Sequence, residues 1–95
     1  MSMKEAYRKK MEAQLSEWSA KLDVLKAKAE KASAEGEVKF QEQIDDIETK
    51  KEQATKKLQQ LSEAGEETWE QFRGEVDHAW DEMKTAIEDF GNKIG

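Results

Sequence analysis

Glu75 and His78 are the residues whose spacing comes closest to a known chemical site. Glu-x-x-His supplies metal ligands in di-iron carboxylate bundles, but such a site needs two of these motifs and two further inward-facing glutamates. His78 is the only histidine, and the chain has no cysteine. On a helix, His78 would lie roughly 160° from the neighbouring apolar residues. We therefore expect His78 to face solvent and predict no metal site, no cofactor and no catalytic residues.

The tryptophans Trp18, Trp69 and Trp80 are the other residues with chemical potential. Large aromatics anchor cores, and they also dominate the energetics of protein interfaces. The sequence leaves both interpretations open, and both depend on which helix faces the tryptophans occupy.

An apolar stripe near the C-terminus predicts an amphipathic helix over residues 68–90. Its members fall within an arc of roughly 80° when placed at 100° per residue. An eleven-residue repeat relates Trp69 to Trp80, so the stripe stays on one face of a straight helix. The stripe consists of Trp69, Phe72, Val76, Trp80, Met83, Ile87 and Phe90, and the spacing continues to Ile94.

The first two thirds of the chain also have helical spacing. Ser2 and Glu5 form a capping box that predicts a helix start near residue 3. Gly36 falls within the continuing apolar pattern, so we predict one unbroken helix through it. The helix-packing residues predicted here are Leu15, Trp18, Leu22, Leu25, Ile44, Ile47, Leu58 and Leu61, with Lys51 interrupting one core position.

Gly65 is the predicted end of this long helix, as a C′ residue. Thr68 begins a second capping box, and Gly91 is placed to end the following helix after Phe90. The predicted fold is all-α: a single antiparallel coiled-coil domain over 1–95, with a helix at 3–63, a turn at 64–67 and a returning helix at 68–90. The alternative is a three-helix bundle broken at Gly36 and Gly65.

The predicted long helix has consequences for partners, because the shorter returning helix covers only its second half. An apolar seam on the first half of the long helix would stay exposed and would need a second copy or another helical protein to cover it. We therefore expect self-association, most simply as a homodimer. This seam consists of Met11, Leu15, Trp18, Leu22 and Leu25.

Composition and charge narrow the function classes. Charged residues make up 40% of the 95 residues, and the net charge is −6, all of it contributed by residues 66–95. An anionic helix is repelled by phosphates and by anionic lipid, so we expect no nucleic-acid partner and regard a membrane partner as disfavoured. The absence of cysteine and of an apolar leader favours a cytoplasmic protein.

Three runs of residues resemble a family of small bacterial coiled-coil stress-response proteins first noticed in cyanobacteria. They are KEAYRKKMEAQLSEW from Lys4, AGEETW from Ala64 and VDHAWDEM from Val76. The resemblance implies a non-enzymatic structural or interaction protein with a role under stress. The alternative function is binding to a membrane surface through the amphipathic helix 68–94.

Overall fold

The fold is a bundle of three helices: α1 (Met3–Glu30), α2 (Ala34–Glu63) and α3 (Glu70–Ile94). The computed structural model describes residues 2–32 and 34–94, and for Ala34 only the backbone. Within these ranges there is no strand. Helices of 25 to 30 residues are about 38–45 Å long. They lie side by side, because the molecule measures 52 × 19 × 17 Å.

The predicted single helix over 3–63 is wrong. The first helix ends at Glu30. A tight turn follows, in which the N–H groups of Lys31 and Ala32 donate to the carbonyls of Lys28 and Ala29 at 3.2 and 3.1 Å. Folding back here lets α1 bury its apolar side within the same chain, which a two-helix hairpin cannot do. The three-helix alternative has the right architecture but the wrong position for the first break.

Gly36 does not make that break, because it lies inside the first turns of α2. Charged residues on either side of the connection suit two helix ends instead. Lys28 lies in the last turn of α1, and Glu35 and Glu37 lie in the first turn of α2. Cations at a helix C-terminus and anions at a helix N-terminus both oppose the helix dipole favourably. Ser33, the residue between the two segments, lies outside the described residues.

The predicted start of α1 is confirmed. Ser2 has an extended backbone (φ −72°, ψ 161°), and its hydroxyl oxygen accepts a hydrogen bond from the Glu5 N–H at 3.2 Å. This bond satisfies one of the N–H groups that the first turn of a helix leaves without a partner. α1 therefore begins where the capping pattern places it.

The second connection differs in detail from the prediction. Gly65 does not adopt the left-handed conformation of a C′ residue. Its carbonyl instead accepts the N–H groups of Thr68 and Trp69, both at 3.0 Å, and the Thr68 hydroxyl at 3.4 Å. The Gln71 N–H bonds to the carbonyl of Thr68, so the predicted capping box is not formed. A turn over 66–69 precedes α3, which begins at Glu70.

The predicted end of α3 at Phe90 is also wrong, because the helix continues through Gly91 to Ile94. Ile94 packs against the core. Beside Gly91, Leu25 lies where an added Cβ would make ordinary van der Waals contact, at 3.9 Å. Packing against α1 thus continues past the glycine, which explains why a small residue in the last turn does not end the helix.

Candidate functional site: the α1 interface

We call the packing of α1 against α2 and α3 the α1 interface. It contains aromatic contacts and side-chain hydrogen bonds between helices. α2 and α3 share the most extensive contact, and α1 packs less extensively on each of them. Within the predicted α1 seam, Met11, Leu22 and Leu25 are buried. Leu15 and Trp18 are only partly buried. The seam is therefore covered within one chain, with a gap at these two residues.

The other predicted packing residues belong to the core that α2 and α3 share with α1. Phe72 is partly buried, and the rest are at most 5% exposed. The structure thus brings the apolar stripe of α3 against α2, with α1 across both. The buried residues from the prediction are Ile44, Ile47, Leu58, Leu61, Trp69, Val76, Trp80, Met83, Ile87 and Phe90.

Trp80 is the centre of the α1 interface. It is 3% exposed, and its indole N–H donates to the carbonyl of Met11 at 3.2 Å. The Trp18 ring lies against it, with centroids 6.3 Å apart and planes inclined by 51°. Tilted aromatic pairs at this distance add about 0.5–1.5 kcal/mol beyond burial. Trp80 and Trp69 are thus core anchors, whereas Trp18 joins the core to the surface.

Tyr7, near the start of α1, contacts residues at the start of α3 and in the turn before it. Its ring lies 5.8 Å from the Trp69 ring, the Arg73 guanidinium lies 5.4 Å from its centroid, and its hydroxyl donates to the Asp77 carboxylate. Burial, and then the hydrogen bond to Asp77, raise the pKa of Tyr7 well above its usual value. The hydroxyl therefore remains a donor. Our sequence prediction missed Tyr7, although its four-residue spacing to Met11 places both on one helix face.

Lys4 makes a second contact that sequence analysis missed. Its ammonium group donates to the carbonyls of Ala64 at 2.9 Å and Ser62 at 3.3 Å, at the end of α2. The last turn of α2 contains no basic residue of its own. A cation at this position bonds the free carbonyls and opposes the helix dipole. α1 thus supplies the C-terminal cap that α2 lacks.

The α1–α2 side of the interface is more open and more polar. Lys26 pairs with Glu48, and this hydrogen bond raises the pKa of Lys26. Nearby lies an open cleft of about 180 Å³. Further along, Lys51 occupies a position of the α2 core pattern and lines a groove with Leu15 and Ser19 of α1. Polar residues at a core position reduce the tightness of packing and help to fix register.

His78 faces solvent, as the helical spacing predicts. Its side chain is 71% exposed, and Nε2 lies 2.7 Å from a carboxylate oxygen of Glu82, one turn further on. Among residues 2–32 and 34–94, no group of three His, Cys, Asp or Glu side chains is placed to hold a metal ion. The Glu-x-x-His motif thus lies on the outer face of α3.

Comparison of the chain with protein-family models, with curated proteins and with solved structures finds no match. Within the described ranges, none of the helices combines the length and the apolar character needed to cross a membrane. The α1 interface, with its aromatic contacts and its gap at Leu15 and Trp18, is the best candidate for a functional site.

Proposed function

We propose that the protein is a non-enzymatic structural or interaction protein that acts through helix–helix association at the α1 interface. The partner is a second copy of the chain or another helical protein. The observation that carries this proposal is the incomplete cover of the α1 seam at Leu15 and Trp18. The resemblance to bacterial coiled-coil stress-response proteins supports a role under stress, and the absence of cysteine favours a cytoplasmic location.

The packing of Leu15 and Trp18 supports association over a purely structural role for α1. Both side chains contact the core yet keep part of their surface in water. The groove beside Leu15 also contains Lys51, which lies on the α2 side. A partner helix would remove the remaining apolar surface from water, at roughly 25 cal/mol per Å², while a carboxylate on that helix would pair with Lys51.

The distribution of charge supports a second copy as the partner. α1 carries seven basic and five acidic residues, whereas α3 carries three basic and seven acidic ones. When two copies meet, the basic helix of one is attracted to the acidic helix of the other. Complementary charge mainly increases the association rate and sets orientation.

A membrane surface is a weaker candidate for the partner. The aromatic residues that would enter lipid, Trp69, Trp80 and Phe90, are at most 4% exposed in the bundle. Lipid would have to replace the contacts that they already make with α1 and α2. The side of α3 left exposed is acidic, whereas helices that bind lipid surfaces usually present Lys and Arg.

Solution molar mass at two concentrations about a hundredfold apart tests the proposal by mass action. We expect the mass to rise from 10.9 kDa toward twice that value. Leu15→Gln should weaken an association in which a partner helix covers the α1 seam. Val24→Gln is the matched control, since Val24 is also an aliphatic residue of α1 but is 57% exposed. A mass of 10.9 kDa at both concentrations would refute self-association.

A further inference from the structure

We propose that two copies of the chain associate by exchanging α1. The connection between α1 and α2 straightens, and α1 of each copy packs on α2 and α3 of the other. This inference rests on the proposed function, since it takes a second copy as the partner. The exchanged α1 occupies the same place in the partner's bundle, so Leu15 and Trp18 stay partly exposed. Leu15→Gln therefore weakens the dimer only if intact bundles associate side by side. The exchange follows from the two connections of the bundle, which differ in how strongly they require a bend.

The first connection is built from residues that tolerate a helix. Lys31 already has α-helical backbone angles, with φ −89° and ψ −2°. Lys31, Ala32 and Ser33 include no glycine, proline, asparagine or aspartate. Lysine and alanine are among the better helix formers. This composition therefore favours one continuous helix from α1 into α2 once α1 has left the bundle.

The second connection is held in its bend. The carbonyl of Gly65 accepts hydrogen bonds from the N–H groups of Thr68 and Trp69, both at 3.0 Å. α2 and α3 also share the most extensive contact in the bundle. α1 is accordingly the helix that exchanges, while α2 and α3 stay paired.

The residues next to the first connection fit two straight helices crossing there. A crossing at the connection brings the segments around residues 31–37 of the two copies together. Near this crossing lie the small residues Ala32 and Gly36 and the opposite charges of Lys31 and Glu37. Small residues let two helix backbones approach closely.

Exchange keeps the contacts of the α1 interface and changes only which copy provides α1. The bond from Trp80 to Met11, the Tyr7 contacts and the Lys4 cap all form between copies instead of within one. Such exchange is an inexpensive way to form a dimer. The remaining cost is the loss of independent motion of two molecules, so the exchanged form increases with concentration.

Distances within one chain distinguish the two forms. The chain has no cysteine, so Lys9→Cys combined with Lys56→Cys gives two specific sites for spin labels on exposed positions of α1 and α2. In the bundle these sites lie side by side, within a cross-section of 19 × 17 Å. On one straight helix they are about 70 Å apart. Doubly labelled chain is refolded at high concentration with excess unlabelled chain, so that only distances within one chain are detected.

We expect a long distance near 70 Å in the dimer fraction and a short one in the monomer fraction. Ala32→Gly should raise the dissociation constant of the dimer about 30-fold, because two straightened connections each lose about 1 kcal/mol of helix propensity. Ala27→Gly is the control, since residue 27 is helical in both forms. It should leave the dissociation constant unchanged.

Each other outcome overturns a specific statement. A dimer with only the short distance would mean that intact bundles associate side by side, which refutes the exchange and leaves the proposed function standing. Equal effects of Ala32→Gly and Ala27→Gly on the dissociation constant would refute the straightened connection. A monomer at every concentration would refute self-association and the exchange together.

Discussion

Replacing Trp80 with alanine probes the α1 interface at its centre. Trp80 is 3% exposed and contacts α1 through its ring and its N–H group. A buried tryptophan covers about 150–250 Å², which corresponds to roughly 4–6 kcal/mol at 25 cal/mol per Å². The unfolded chain already buries part of that surface, so this value is an upper bound. We expect Trp80→Ala to reduce the free energy of unfolding by about 3–5 kcal/mol.

His78→Ala is the control on the same helix. His78 is 71% exposed, and its Nε2 lies 2.7 Å from a carboxylate oxygen of Glu82. Exposed pairs of this kind contribute about 0.3–0.5 kcal/mol. His78→Ala should therefore change the free energy of unfolding by no more than about 0.5 kcal/mol.

Urea melts of the two variants and the parent chain measure the differences in the free energy of unfolding. The dependence of that free energy on urea concentration should be the same for all three chains. Trp80→Phe extends the series if the alanine variant is mostly unfolded. It keeps an aromatic ring and loses the 3.2 Å hydrogen bond to Met11, so it should cost about 1–2 kcal/mol. Similar losses for Trp80→Ala and His78→Ala would mean that Trp80 does not face the core.

Three further outcomes are expected. Gly74→Ala should stabilise the fold by about 1 kcal/mol in urea melts, since an added Cβ meets nothing within 4 Å in the interior of α3; a loss of stability would contradict an open helical site. Lys4→Met should lower the midpoint of thermal unfolding by removing about 1 kcal/mol of capping, whereas Lys10→Met should not, and equal effects would rule out the cap on α2. Neutral or anionic vesicles should leave the tryptophan emission maximum unchanged and the protein in the supernatant; a blue shift with co-sedimentation would instead favour the lipid-surface function.

Side-chain periodicity made the helices predictable. In α3, the apolar residues keep to one face from Trp69 to Ile94, and burial follows that face closely. Ser2 marked the start of α1, because a serine followed by a glutamate three residues later can satisfy the first turn locally. Both features depend only on residues close together in the sequence, so both can be predicted without knowing how the helices pack.

The position of the first break was not predictable in the same way. Gly36 is the residue that the three-helix alternative places at the break, yet it lies within α2. The turn at Lys31 and Ala32 has no strong turn-forming residue, so local propensity does not require it. It forms because folding back buries Met11 and Leu22 in the same chain. That gain comes from tertiary contacts, which outweigh propensity.

The ends of α2 and α3 also depend on tertiary contacts that the local sequence does not predict. Gly91 resembles a helix stop, yet α3 continues past it because Leu25 and Ile94 extend the packing. Lys4 caps α2 from 60 residues away in the sequence, and Tyr7 reaches Asp77 across the bundle. No spacing rule within one helix indicates contacts of this kind. They depend on how the helices are placed together.

Hydrogen exchange of the native protein, resolved by segment, tests most directly whether α1 is the helix that leaves the bundle and exchanges. α1 packs less extensively than α2 and α3 pack on each other. Segments that open as units exchange at their own free energy. We predict that amides of α1 around Leu22 exchange through an opening of lower free energy than those around Ile47 and Met83. Equal protection in all three helices would mean that the bundle opens only as a whole, and would contradict the exchange of α1.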